Sequence, residues 1–465
     1  MMTWSLALRN LRRNRRRSLS TLLALAIGSA SILIFGGYSA NIKYIMKTGY
    51  VRNGGQLQIQ HKDFYLYGSG NPTAYGIRDY VGLIRTIEND QILKGMIRVV
   101  TPTLQFGGVA GNFAAGVSRT VIGTGFVAAD VNRMRQWNEY ELPLVPQRFV
   151  LEGAASDAAV VGTGVARVLR LCAALGIADC PTTIDEPKPV GKALPADIAE
   201  LTLADTPVAT ALPDKAKARI ELLAGHANGT PNVASLNVLQ AERQGFKEFD
   251  EVAVILQLQQ AQHLVYGRSP PRVTSIMVQL ERSEQMAEAA AQLKTLLLTA
   301  APGQALAVVD FETLNPFYVQ TVKLFDTIFG FIFVLIGAIV LFTVSNTMNT
   351  AVVERTVEIG TLRAVGLRQA GIRRLFVTEG FLLGLMGAVS GALLAVLVAA
   401  IVNQLGLTWL PPGSSEPLPL LLRVWGESSM ISTATVGLVV IAALSAWWPA
   451  YRAARLSVVD ALRHV

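Results

Sequence analysis

Four segments of the chain run for twenty residues or more without a charged side chain: 19–42, 327–353, 380–415 and 428–451. About 20 apolar residues at 1.5 Å rise span the roughly 30 Å hydrocarbon core of a bilayer, so each run is long enough for a transmembrane helix. The third exceeds one span. Its tail, GLTWLPPGSSEPLP, crowds proline and glycine together from Pro411, which predicts a helix end near Gly406. The first run follows a basic segment as a signal peptide would. Its apolar stretch is nevertheless longer than the 7–15 residues of a cleaved signal, and it reads as an uncleaved first span.

Arginines orient these spans. Arg9, Arg12, Arg13, Arg15, Arg16 and Arg17 precede the first, Arg355, Arg363, Arg368, Arg373 and Arg374 separate the second from the third, and Arg452, Arg455 and Arg463 follow the fourth. Positive residues mark the cytoplasmic side, and four spans place both termini on one side, so the three basic segments agree. The organisation predicted is a cytoplasmic amphipathic helix at 1–18 and transmembrane helix 1 at 19–42, then a large extracytoplasmic domain at 43–323. Transmembrane helix 2 follows at 324–353, a cytoplasmic helix or loop at 354–374, transmembrane helix 3 at 375–406, an extracytoplasmic loop at 407–427, transmembrane helix 4 at 428–451 and a cytoplasmic tail at 452–465. The composition agrees: 51% of residues are hydrophobic and 16% charged, against roughly 25% charged in soluble domains. The net charge of +8 first suggests a nucleic-acid partner. However, the segment 41–323 holds 26 basic and 26 acidic residues and is neutral, so the excess lies in the cytoplasmic pieces and reports orientation.

Trp4, Leu8 and Leu11 share a face at helical spacing with arginines on the others, as in an interfacial helix on the inner leaflet. More informative is NTMNTAVVERTVEIGTLRAVGLRQAGIRRLFVTEG, residues 346–380. Ile359, Leu362 and Val365 form a ridge flanked by Glu354, Arg355, Glu358 and Arg363. Orientation needs only the arginines. A short mixed-charge helix with an apolar ridge, held between two spans, suits docking in a partner's groove.

At this point the chain resembles a known family. NTMNTAVVERTVEIGTLRAVGLR is similar to the ERxxEIGxLRAxG signature of FtsX-like ABC transporter permeases, the superfamily that includes MacB-type proteins and the LolC/LolE subunits. SLALRNLRRNRRRSLSTLLALAIG resembles the family's amphipathic helix and first span, EGFLLGLMGAVSGALLA its glycine-spaced third span, and WWPAYRAARLSVVDALRHV its PAxRAAxLxPxxALR tail, with Val458 in place of the proline. The segments GGQLQIQ, DAAVVGTGVARVL and GFKEFDEVAVILQLQQAQHLVYG resemble the family's external domain, interrupted by an insertion at about 172–217. The resemblance implies a membrane α-helical fold of four transmembrane helices with a large α+β extracytoplasmic domain between helices 1 and 2.

It further implies a bacterial inner-membrane subunit that dimerises with a second copy or a paralogue and docks a cytoplasmic ABC ATPase. A periplasmic carrier or adaptor and membrane lipids complete the expected partners. Glu354, Arg355, Glu358, Ile359, Leu362 and Arg363 are then the expected ATPase-coupling residues. ATP-driven movement of the ATPases would pass through the spans to the external domain, a lever action termed mechanotransmission. No GxxxxGK[ST] loop occurs, so this chain is expected to bind no cofactor itself, and ATP and magnesium to act through the partner.

Gly384, Gly387 and Gly391 permit close helix approach, either within the chain or between subunits. Glu379, at the start of the third span, is expected to pair with Arg373 or Arg374. Cys172 and Cys180 would form a disulfide in an oxidising compartment. The histidines are scattered and no HExxH, GxSxG or CxxC occurs, so neither a metal site nor catalysis by this chain is expected. Three functions fit: extraction of lipoprotein or other lipophilic cargo from the inner membrane, MacB-like tripartite efflux of peptides or drugs, and FtsX-like signalling to a cell-wall hydrolase. The first is favoured by the local likeness of GGQLQIQ and EFDEVAVILQLQQAQ to the LolC/LolE branch.

Overall fold

The computed structural model describes residues 2–13, 15–68, 70–177, 218–226, 229–245, 247–410 and 417–457. In chain order its main elements are α1 (Met2–Arg13), α2 (Arg15–Gly54), β1 (Leu57–His61), α3 (Tyr80–Asn89), β2 (Ile97–Asn112), β3 (Val117–Phe126), α4 (Ala128–Arg135), β4 (Ala158–Gly162), β5 (Arg219–Gly225), β6 (Pro231–Glu242), β7 (Ala253–Gln257), α5 (Leu258–Tyr266), β8 (Ser275–Leu280), α6 (Met286–Ala300) and β9 (Leu306–Asp310). Four helices complete it: α7 (Pro316–Glu354), α8 (Thr356–Ala364), α9 (Gln369–Gln404) and α10 (Ser428–Ala454). Two compact units result, a helical one of 1–46, 317–409 and 418–465 and a strand-rich one of 47–316 and 410–417. Cys172 opens a single helical turn, Cys172–Leu175. Cys180 and the expected insertion beyond residue 177 lie outside the described residues.

In the strand-rich unit nine strands run in the order β3-β7-β4-β6-β5-β2-β8-β1-β9, with a further pairing of β3 to β2. That pairing closes a ring of six strands, because β2 is long enough to serve several neighbours. Its first half pairs with β8, its second half with β3, and Gly108–Gly111 also pair with β5. A Cβ on Gly108 would lie 2.7 Å from the Leu223 carbonyl oxygen, so the crowded junction of three strands admits only glycine. Alternate residues of all six strands enter one buried cluster, among them Phe106, Val121, Val161, Leu222, Leu236 and Leu256, as the period of two requires. Helices α5 and α6 join that cluster through Leu264, Val265, Leu293 and Leu297.

The start of this unit is pinned by amides and an indole. Gln56 exchanges hydrogen bonds with Leu280, Gln279 donates to the carbonyls of Val51 and Met134, and buried Trp137 donates from Nε1 to the Leu280 carbonyl at 2.9 Å. Gly55, at φ +72°, ends α2 where a side chain would strike the Val278 backbone.

In the helical unit α2, α7, α9 and α10 are each long and apolar enough to cross a membrane. The apolar run 19–42 is the middle of a 40-residue helix, because Lys43, Lys47 and Arg52 continue the helix, the single Gly49 is tolerated within it, and it ends only at the pair Gly54 and Gly55. The glycines of α9 divide between two neighbours. A Cβ on Gly380 or Gly384 would meet Ala446 or Ala442 of α10 at 2.5 or 2.6 Å, and one on Gly391 would lie 2.5 Å from the Ala26 carbonyl oxygen and Ser29 Cβ of α2. Gly387 faces Leu25 of α2. These small residues let backbones approach where lipid supplies no hydrophobic drive for helix association. Near the other end of the spans Lys43 pairs with Asp326, Tyr44 donates to Glu427 at 2.8 Å, and the Arg423 guanidinium lies 5.1 Å over the Tyr44 ring.

Gly391→Leu is expected to overpack α9 against α2 and cost about 1–3 kcal/mol. Gly330→Leu, on an exposed surface of α7 with no atom near its Cβ, is expected to be neutral. Thermal unfolding of the two purified variants in detergent measures the difference, and equal melting temperatures would contradict the packing described.

Candidate functional site

The segment joining α7 to α9 holds the expected coupling residues. Helix α7 ends at Glu354, Arg355 leaves helical geometry at ψ 18°, and α8 restarts at Thr356. Its end is closed by Gly366 at φ +102°: the Gly366 N–H donates to the Arg363 carbonyl and the Leu367 N–H to the Leu362 carbonyl, the paired bonds of a Schellman motif. Arg368 is extended, and α9 begins one residue later. The result is a nine-residue helix held at both ends by long apolar helices.

Its two faces differ from the ridge read in the sequence. Ile359 is 3% exposed and packs with Val352, Ile372 and Phe376, whereas Leu362 is 39% exposed and Val365 84%. Three residues advance a helix by about 300°, so the spacing i, i+3, i+6 turns steadily off one face. The outward face is instead Glu358, Leu362 and Val365 at i, i+4, i+7. Glu354 is also exposed. Arg363 is half-buried and donates to the Leu456 carbonyl just beyond α10.

Arg355 turns inward as well. It is 6% exposed, its Nη1 donates to Glu379 Oε1 at 3.1 Å and its Nη2 to the Asn10 carbonyl at 3.2 Å. Glu379, 2% exposed, also accepts from Asn10 Nδ2 at 2.6 Å. The expected partners of Glu379, Arg373 and Arg374, lie six and five residues earlier on the same helix, off the face that i+3 and i+4 neighbours share, and they do not reach it. Asn10 gave no signal in the sequence: an asparagine among arginines reads as one more polar residue.

The rest of α1 follows. Ala7 is buried, Trp4 meets the Phe381 ring edge-on at a centroid distance of 5.8 Å, and Trp4 and Leu8 leave apolar surface exposed. Two exposed ion pairs run from this end of the chain to the coupling segment, Arg13 to Glu358 at 2.6 Å and Arg17 to Glu354 at 2.9 Å. Exposed pairs are each worth about 0–1 kcal/mol, so the buried Arg355–Glu379–Asn10 network carries the attachment. Among the described residues no group of three or more His, Cys, Asp or Glu could hold a metal ion.

Four membrane-length helices, a strand-rich unit between the first two, and a short capped helix between the second and third make up an architecture suited to a polytopic membrane protein. Over residues 327–458 the chain matches the family described as FtsX-like permease C-terminal. It is 26% identical over 218 residues to an uncharacterized ABC transporter permease of Methanocaldococcus jannaschii, covering 46% of this chain and 51% of that protein. It is 36% identical over 198 residues to the macrolide export ATP-binding/permease protein MacB of Escherichia coli K12, covering 41% of this chain and 27% of MacB. The chain thus spans about half the length of the first relative and about a quarter of the second. Among solved structures, the periplasmic region of MacB from Actinobacillus actinomycetemcomitans aligns at a TM-score of 0.31 and 12% identity over 57% of this chain and 94% of that one.

Removing one member of the buried pair leaves the other buried without its counter-charge, which costs about 3–5 kcal/mol. Arg355→Met and Glu379→Leu are each expected to lower the melting temperature of the detergent-purified chain strongly. The double variant is expected to fall by less than the sum. Additive losses would show that the two side chains do not interact.

Proposed function

We propose that this chain is the permease subunit of an ABC transporter, with α8 as the face on which a separate ATPase docks. The supporting observation is the division of labour within 354–365. Arg355 and Ile359 root the segment in the helical unit, while Glu354, Glu358, Leu362 and Val365 face outward as an acidic and apolar patch. A short helix anchored from beneath and exposed on top suits helix-in-groove recognition. The chain has no P-loop of its own, so nucleotide hydrolysis is assigned to the partner.

The arginine bias of the basic segments supports a cytoplasmic position for this patch, in this reading at a bacterial inner membrane, with the strand-rich unit outside. In this reading, closure of the ATPases tilts α8, the buried network carries the movement into α1 and α9, and the lengths of α2 and α7 serve to carry it outward. Each runs 39 or 40 residues, about 60 Å and twice the hydrocarbon thickness. The strand-rich unit would then act on lipoprotein or other lipophilic cargo outside the cytoplasm, as a dimer with a second copy or paralogue and with a periplasmic carrier. The identity to MacB supports a second reading, efflux of peptides or drugs through an adaptor.

Leu362→Asp and Glu354→Lys are expected to remove a co-purifying P-loop ATPase from gently solubilised native membranes by at least tenfold, while Gly330→Leu retains it. Quantitative mass spectrometry of the captured complex reads the loss. A carrier retained beside the ATPase favours the extraction reading and an adaptor the efflux reading. Retention of the ATPase by both variants would overturn the docking face.

A further inference from the structure

The strand-rich unit holds a cavity of about 290 Å³ for which the coupling scheme has no use. It lies on the outer surface of the strand ring, lined by residues of β3 and β7 whose alternate neighbours fill the main core. Its origin is a packing mismatch. This surface carries two small clusters, one built on Phe149, Leu151 and Ile255 and the other on Val99, Met134 and Met277, and Phe126 packs partly against both. The covering layer is held in place by its own bonds: Asn132 of α4 brackets the backbone of Phe149, and Gln257 donates to the Leu151 and Ala154 carbonyls. The gap between the clusters is therefore a feature of a supported layer, with Phe126, Val131, Met134, Phe149, Ile255 and Met277 as its apolar walls.

Two guanidinium groups border it, and they differ. Arg135 is neutralised by Glu242 at 2.7 Å, and its head lies 4.9 Å over the Phe149 ring. Arg52 is half-buried, and its Nε is committed to the Trp137 carbonyl at 2.7 Å. Among the described residues no carboxylate pairs with Arg52, and no acidic side chain lines the cavity. Burial holds the Arg52 guanidinium below its ordinary value, the direction taken by a cation short of counter-charge. Apolar walls beside an uncompensated, partly desolvated cation fit a ligand with an alkyl body and an anionic end. The anion would supply the missing charge and the alkyl chain the missing contacts.

We propose that this cavity binds the apolar chain of an anionic amphiphile, with Arg52 on its carboxylate or phosphate. The volume is at the lower end of the roughly 300–1,000 Å³ typical of small-molecule sites. It accommodates one short chain and excludes a whole two-chain lipid. The inference concerns the strand-rich unit alone and stands or falls separately from ATPase docking.

The test is photolabelling of the full chain in nanodiscs of zwitterionic lipid with three probes that share one diazirine-tagged ten-carbon chain: the carboxylate, the phosphate monoester and the alcohol. Labelled residues are mapped by mass spectrometry. Saturable labelling around Phe126, Met134 and Phe149 is expected for at least one anion, with the alcohol about tenfold weaker, the loss expected of one charge-assisted hydrogen bond. The stronger anion identifies the head group. Arg52→Gln is expected to bring anion labelling down to the alcohol's level, and Arg52→Lys to restore part of it. Val131→Phe, which fills the space, is expected to abolish labelling by every probe with the melting temperature maintained. Equal labelling by acid and alcohol, labelling unaffected by Val131→Phe, or labelling confined to the membrane-length helices would overturn the proposal.

Discussion

Within the helical unit the arrangement depends on one buried ion pair. A guanidinium and a carboxylate enclosed among apolar helices are costly unless each meets the other and their remaining hydrogen-bonding groups are satisfied. Arg355 and Glu379 meet that demand in large part with the help of Asn10, which donates to the carboxylate from its side chain and accepts from the guanidinium at its carbonyl, while the buried Arg355 Nε has no hydrogen-bond partner among the described residues. Three consequences follow from one contact. The helix must break at residue 355, α1 must lie against α9, and α8 must present Ile359 inward. The outward face of α8 is what remains.

That geometry gives the segment 354–365 two distinct kinds of residue. Those that root it, Arg355 and Ile359, affect any partner only by way of the bundle, whereas Glu358, Leu362 and Val365 are available to touch one. The exposed pairs from Arg13 and Arg17 to Glu358 and Glu354 are weak by comparison and easily exchanged for another partner's charges. The docking face proposed for α8 is rigid at its base and adaptable at its surface.

The strand-rich unit shows a different constraint. Its ring closes because β2 is 16 residues long and serves β3, β5 and β8, with glycine at 108 admitting the close approach of β5. One side of the strands is then filled completely. The other is covered by α4 and the following loop, whose side chains join strand residues in two small clusters that share Phe126. Incomplete coverage beside Arg52 is the kind of local inconsistency that natural folds retain where a site is needed.

Much of this was legible in the sequence because it is local. A run of apolar residues such as 327–353 is a property of its own stretch of chain, and the length of the hydrocarbon layer converts it to a helix without reference to anything else. The same holds for the arginine bias and for the mixed-charge segment at 354–365. The residues that build the site were legible only as a set. Their directions were decided by contacts over long separations: Arg355 meets a carboxylate 24 residues away and an asparagine 345 away. The spacing of Ile359, Leu362 and Val365 describes an isolated helix and says nothing of which side is covered. Gly384, Gly387 and Gly391 announce close packing, but their division between α10 and α2 depends on which helices become neighbours. The cavity had no sequence signal at all, since it arises where Phe126, Met134, Phe149 and Met277, each an ordinary core residue in its own strand, helix or loop, are brought together without quite filling the space. Sequence determines what each segment can bury; the tertiary structure alone decides against what it is buried.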